Sequence, residues 1–275
     1  IYALLSALLF STMNVFVKLL GTSIPAGEIA FARGLFGTVA VLIIMYMKGI
    51  HFSKEDRGLL VMRGLYGGFG MVCNFIALVH LKLSDATILF QMTGIFVFIF
   101  SALFLKESLP KGAGKWLALI FAAVMIMVNP FTYESFSWYA LVAILGAALA
   151  AAAYTTIRTI SKRGKHSNFE IMAYFMITSM FAGLVATDEF VMPQGSDWFI
   201  IVIIGGISVV AQFFLTGAFV TTNAVVAQFL QYVGVFISSF YGFLFFGESL
   251  ALVTVIAGIV MFISSVMLSR LKEEQ

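Results

Sequence analysis

Ten apolar runs of membrane-spanning length follow one another along this chain with only short connections between them. A hydrocarbon core of roughly 30 Å takes about 20 apolar residues per helix, and within it every backbone N–H and C=O must be bonded inside the protein. The runs lie near 1–20, 25–47, 58–79, 85–104, 112–129, 137–157, 168–187, 197–220, 223–246 and 251–269. The whole chain of 275 residues is 61% hydrophobic and only 11% charged, against about 25% charge in a soluble domain. The expected fold is an all-α integral membrane protein with ten transmembrane helices.

Basic residues sort to one side of that map. One set of connections carries Lys48, Lys54, Arg57, Lys106, Lys111, Lys115, Arg158, Lys162, Arg163 and Lys165, and the tail adds Arg270 and Lys272; the opposite set carries Lys82. Because positive loops stay cytoplasmic, both termini are expected inside, in a cytoplasmic or plasma membrane. The net charge of +3 then follows from topology and implies no nucleic-acid partner. With Cys73 as the single cysteine, no internal disulfide or cysteine-based metal site can form within the chain. Ile1 opens inside an apolar run without a charged leader, so the start is expected to be trimmed.

The second half repeats the first. Leu-Lys-Glu-Ser-Leu at 105–109 matches Phe-Gly-Glu-Ser-Leu at 246–250, Gly67-Gly68 and Asn74 match Gly205-Gly206 and Gln212, and Gln91, Gly94 and Phe96 match Gln231, Gly234 and Phe236. The offsets all lie between 138 and 141 residues. Each half, 1–130 and 136–270, holds five spans, and an odd number forces the two copies to face opposite ways. Inverted repeats are a transporter architecture with the site near the midplane between the halves.

These motifs, with Phe-Ala-Arg-Gly in the second span, Met-Arg-Gly at 62–64 and Leu-Ser-Asp-Ala-Thr at 83–87, resemble the EamA family of the drug/metabolite transporter superfamily over the whole chain. The last three are similar to the branch containing S-adenosylmethionine uptake proteins and the solute carrier 35G group. The resemblance implies ten helices, inverted five-helix repeats and a central cavity lined mainly by the first, third, fourth, sixth, eighth and ninth spans. Family members often carry a proline in the fourth and ninth spans; this chain has none there.

Few polar side chains fall inside the spans, and the offset pairs them: Asn14 with Tyr154, Asn74 with Gln212, Gln91 with Gln231. At 1.5 Å per residue, Gln91 and Gln231 lie roughly 10 to 12 Å from opposite faces, hence near the midplane. Their uncharged amides can orient a ligand at modest desolvation cost, or bond helix to helix. Thr87, Gln91, Gly94 and Phe98 share a helical face, as do Gln228, Gln231, Val235 and Ser238 or Ser239. Tyr66, Tyr154 and Tyr232 offer aromatic walls with a hydroxyl.

Arg33 lies about a third of the way along the second span, where an ionised side chain costs on the order of 3 kcal/mol. Glu28, five residues away, is turned about 140° from it, so its partner must be an interhelical acid such as Asp85, a carbonyl, water or an anionic substrate. Arg63 and Lys18 pose the same question nearer the span ends, where snorkelling is an alternative. Together the cations favour a substrate with a carboxylate, phosphate or zwitterion. Asp85, Glu107 and Glu248 are expected to cap helix N-termini, Glu28 and Glu170 to sit near positive helix ends, and Gly64, Gly68, Gly205 and Gly206 to let helices approach closely.

The expected function is a secondary active transporter moving a small organic metabolite, an amino acid, nucleoside-like compound or organic anion, by alternating access. No GxxxxGK[ST] motif supplies an ATPase, and no GxSxG, HExxH or close membrane carboxylate pair supplies an enzyme, cofactor or metal site. A lipid-linked sugar flippase of the same superfamily is the alternative. The partners are the bilayer and a small molecule, with room left for a homodimer.

Overall fold

The computed structural model describes residues 1–106, 111–128, 137–248 and 252–271. Every regular element among them is helical: α1 (Tyr2–Leu20), α2 (Ala26–Met47), α3 (Arg57–His80), α4 (Leu83–Phe90), α5 (Thr93–Phe100), α6 (Ala113–Val128), α7 (Trp138–Arg163), α8 (Asn168–Val185), α9 (Asp197–Thr221), α10 (Ala224–Leu230), α11 (Val233–Phe246) and α12 (Leu252–Ser269), with a π-helical turn over Ser101–Leu105 continuing α5. Among the described residues, seven stretches are long and apolar enough to cross a membrane: α1, α2, α3, α7, α8, α9 and the combined run Ala224–Phe246.

The stretches expected as single spans at 85–104 and 223–246 are each interrupted. Both breaks are overwound turns. Met92 N bonds Leu89 O and Gly94 N bonds Gln91 O, while Gln231 N bonds Gln228 O and Gly234 N bonds Gln231 O, the i→i+3 pattern of a tightened helix that often marks a functional point. No proline is required for either. α7 runs on to Arg163, past the expected end at 157, so Arg158, Lys162 and Arg163 ride its last turns rather than a connection.

Small residues set the spacing of the helices. A Cβ at Gly34 on α2 would fall 2.5 Å from Met180 N of α8, and one at Gly64 on α3 would fall 2.7 Å from Tyr174 O. Gly70 of α3 lies against Gly146 O and Ala150 N of α7, both 3.1 Å from an added Cβ. Gly205 meets the Phe36 ring, but Gly206 faces open space, so the close approach expected there does not occur. In lipid, where apolar tails match apolar side chains, such contacts are a main source of helix association.

The acids tie the bundle ends together. Glu28 accepts a hydrogen bond from Val191 N at 2.8 Å, fastening the loop between α8 and α9. Glu170 accepts one from Ser53 N at 2.7 Å, fastening the loop between α2 and α3, and its other oxygen lies 2.9 Å from His166 Nδ1. Glu248 reaches across the bundle: its Oε1 accepts from Leu83 N at 2.7 Å, capping α4 far away in sequence, and pairs with Lys18 at 3.7 Å, while residues 249–251 before the next helix lie outside the described residues. α4 already begins at Leu83, so Asp85 lies within its first turn and not at its cap. Glu107 lies outside the described residues.

The Glu-Ser-Leu motifs share a backbone feature just before the acid. Lys106 (φ 49°) and Gly247 (φ 62°) both adopt the left-handed conformation that ends a helix. Glycine does so freely, whereas a lysine pays roughly 1–2 kcal/mol for its Cβ.

Candidate functional site

The close packing of α3 on α7 and α8 brings Arg63, Gly67, Asn74 and Tyr154 to one interior surface, and α1, α2, α4, α9, α10 and α11 close the remaining sides around a cavity of about 120 Å³. That is room for several waters or a small organic group. All six side chains paired by the sequence offset, Asn14 with Tyr154, Asn74 with Gln212 and Gln91 with Gln231, line it, and so do Arg33 and Arg63. Its lining holds no aspartate or glutamate among the described residues.

Arg33 and Arg63 are buried, at 2% and 1% exposure. Neither snorkels, and among the described residues neither has an ion pair; Asp85 is not a salt-bridge partner of Arg33. Arg33 donates instead to the Met71 thioether, a weak acceptor, and its guanidinium lies 5.4 Å from the Phe175 ring and 5.9 Å from Phe75. Arg63 lies 4.6 Å from the same Phe175 ring. A cation on an aromatic face gains about 0.5–2 kcal/mol, which offsets only part of the burial cost. Arg33 Nε and Arg63 Nε and Nη1 have no hydrogen-bond partner. Two buried cations thus share one ring and keep donors in reserve, N–H groups of the kind that form short, charge-assisted bonds when an anionic acceptor is present.

Gly67 makes the berth for Arg63. The guanidinium folds back along its own helix into the space a Cβ at Gly67 would fill, with Phe175 closing over the same spot at 2.7 Å. An alanine there would evict it.

The two overwound turns meet at the other side of the cavity. Tyr232 donates its hydroxyl to Gln91 O at 2.7 Å, Gln91 donates Nε2 to Gln231 O at 3.3 Å, and Gln228 donates Nε2 to Gln91 Oε1 at 3.2 Å. Each overwound turn therefore offers a carbonyl that the opposing helix takes up. Tyr232 is consequently buried behind the cavity wall, with Gly94 giving its ring space, and it does not line the cavity; Tyr66 does not line it either. Phe98 is about half exposed and turns away from the face it was expected to share with Gln91. Ser238, Ser239 and Val235 are buried without reaching the cavity.

Lys18 is absent from the lining because its Nζ donates to Leu81 O at 2.5 Å beside Glu248. At the opposite end of the sequence repeat, Arg158 Nη1 and Ser161 Oγ donate to Val220 O at 3.0 and 2.9 Å. Thr87 and Gln228 do line the cavity, as their helical faces suggested. Sequence reasoning missed Phe75, Phe175 and Met71, which embrace the arginines. Phe175 stands on α8 and Arg33 on α2, outside the six spans the family resemblance pointed to.

Comparison with known proteins follows the same outline. The family model described as the EamA-like transporter family matches residues 1–129 and 137–270. The pseudopaline exporter CntI of Pseudomonas aeruginosa is 35% identical over 273 residues, 98% of this chain and 95% of that protein. An S-adenosylmethionine uptake transporter of Rickettsia felis is 26% identical over 89% of this chain and 83% of its own length. Human solute carrier family 35 member G1 is 26% identical over 90% of this chain and 72% of its own length. A solved crystal structure superposes with a TM-score of 0.74 at 14% identity, covering 98% of this chain and 99% of that one, a likeness of fold. With the family model matching nearly all of it, the chain belongs to the EamA-like transporter family and is an integral membrane protein.

Proposed function

We propose that this protein is a secondary active transporter for a small organic metabolite bearing a carboxylate or phosphate, working by alternating access around the central cavity. The observation that carries the reading is the pair of buried, unpaired arginines opening on a cavity free of acids among the described residues. Relatives named as transporters of pseudopaline and of S-adenosylmethionine support a small metabolite as cargo and transport in place of catalysis.

The architecture we infer is ten spans in two inverted five-helix halves, 1–130 and 136–270, with both termini cytoplasmic. The interrupted stretches α4–α5 and α10–α11 would then be the fourth and ninth spans, each counted once. Supporting this are the overwound turns placed 140 residues apart and the matching left-handed residues Lys106 and Gly247. Asn14, Arg33, Arg63, Asn74, Gln91, Tyr154, Gln212 and Gln231 are the substrate-contacting set, and Tyr232 acts through Gln91.

A thermal-shift screen of the purified protein against organic anions, nucleoside-like compounds and amino acids tests this. A hit present at a hundred times its Kd stabilises the fold by about 2.7 kcal/mol. Arg33→Ala and Gln91→Ala should each weaken binding of that hit, Arg33→Ala by tenfold or more. Hits without any anionic group, or both variants binding as tightly as the parent, would overturn the reading.

A further inference from the structure

The cavity has two poles of different chemistry. One is cationic, at Arg33 and Arg63. The other is neutral, where Gln91, Gln228 and Gln231 come together at the overwound turns.

Gln228 is 3% exposed, and its terminal amide makes one hydrogen bond, to Gln91. Its remaining oxygen is buried and unpartnered, as is Gln231 Nε2. Turning the Gln228 amide over would set two amide oxygens face to face and lose the bond to Gln91, so the free atom is the oxygen. Two adjacent glutamines on the wall of one cavity thus hold an unused acceptor and an unused donor. That is costly in a desolvated place unless something there uses them.

Three other polar side chains of the cavity wall are satisfied within the fold, while the unpartnered hydroxyls of Ser238 and Ser239 lie off the cavity. Thr87 bonds Leu83 O, Ser11 bonds Gly234 O, and Gln212 bonds Thr216. An ammonium or second carboxylate at this pole would meet no counter-charge among the cavity's described residues, whereas a neutral group with both a donor and an acceptor would meet its complement.

We propose that Gln228 and Gln231 form a specificity subsite for an uncharged hydrogen-bonding group, a carboxamide or hydroxyl, carried on the same molecule as the anionic group held by the arginines. The inference rests on the anion-transport reading and narrows its substrate class to anions with a neutral polar tail. Gln91, itself a substrate-contacting residue in that reading, also holds the subsite in place, Gln228 through its side chain and the opposing turn through its backbone.

The test uses matched ligands on the purified full chain in lipid nanodiscs. Succinamate, glutaramate and adipamate, each a carboxylate with a terminal carboxamide, are compared by titration with butanoate, pentanoate and hexanoate. The parent should prefer the amide-bearing acid about tenfold at one chain length or more, the scale of one buried hydrogen-bond partner. Gln228→Met and Gln231→Met, which keep side-chain length, should bring that ratio close to one. Arg33→Ala should weaken both members of a pair alike. Binding of the plain acids with no amide preference at any length overturns the subsite and leaves the anion reading in place. A preference that survives in both methionine variants also overturns it. No binding of any of the six acids to the parent overturns the anion reading together with this inference.

Discussion

The ends of the bundle and its centre treat charge in opposite ways. At the ends, Glu28, Glu170 and Glu248 each accept a backbone N–H across helices, and Lys18 is held by Leu81 O and Glu248. In the centre, Arg33 and Arg63 have ring faces and a thioether but no acid among the described residues, and the amides beyond them keep atoms unpaired. The ends are wired for stability. The centre withholds it, as sites that must bind something else commonly do.

Substitutions can break that contrast, beginning with one that should destroy both regions. Gly34→Val would force a branched side chain into Met180 backbone atoms at 2.5 and 2.6 Å, and α2 would separate from α8; fluorescence-detected size exclusion should show loss of the monodisperse peak. Arg33→Met should do the reverse of what an end substitution does. Replacing a buried unpaired charge by an apolar chain is expected to raise the unliganded protein's Tm, by the equivalent of about 1–3 kcal/mol, while abolishing the anion-induced shift. A fall in Tm with binding preserved would show that the centre is structural after all.

Glu170→Ala removes the acceptor of Ser53 N and the partner of His166 and should destabilise the fold by about 1–3 kcal/mol, read as a lower Tm, with anion affinity unchanged. Glu170→Gln should recover part of that loss, since one oxygen remains. Lys106→Gly should gain about 1 kcal/mol by relieving a left-handed lysine, visible as a small rise in Tm. Least of all, Lys165→Ala should change neither Tm nor binding measurably, because its pair with Glu55 is more than half exposed on both sides.

What could be read from the sequence was decided by what a residue type cannot hide. Polar side chains in apolar runs are conspicuous, and the offset of about 140 residues told which belonged together; Asn14, Tyr154, Asn74, Gln212, Gln91 and Gln231 share one cavity. Thirty phenylalanines look alike whether they face lipid, core or a guanidinium, so Phe75 and Phe175 could not be singled out. Contacts between helices distant in sequence were equally hidden. Its neighbours along the chain give no hint that Glu248 reaches Leu83 of α4. Tyr232 carried the marks of a cavity wall and is spent on a carbonyl exposed by a turn that no proline announced.

That last bond makes the two interrupted stretches unequal. Tyr232 has Met92 at its counterpart position, and a thioether cannot donate the bond a phenol does. One tightened turn is thus gripped by a rigid aromatic arm, the other by a flexible glutamine. Both clasps join the same pair of turns, so any motion that parted them would have to break the short bond of the phenol, at 2.7 Å, as well as the longer one of the amide, at 3.3 Å.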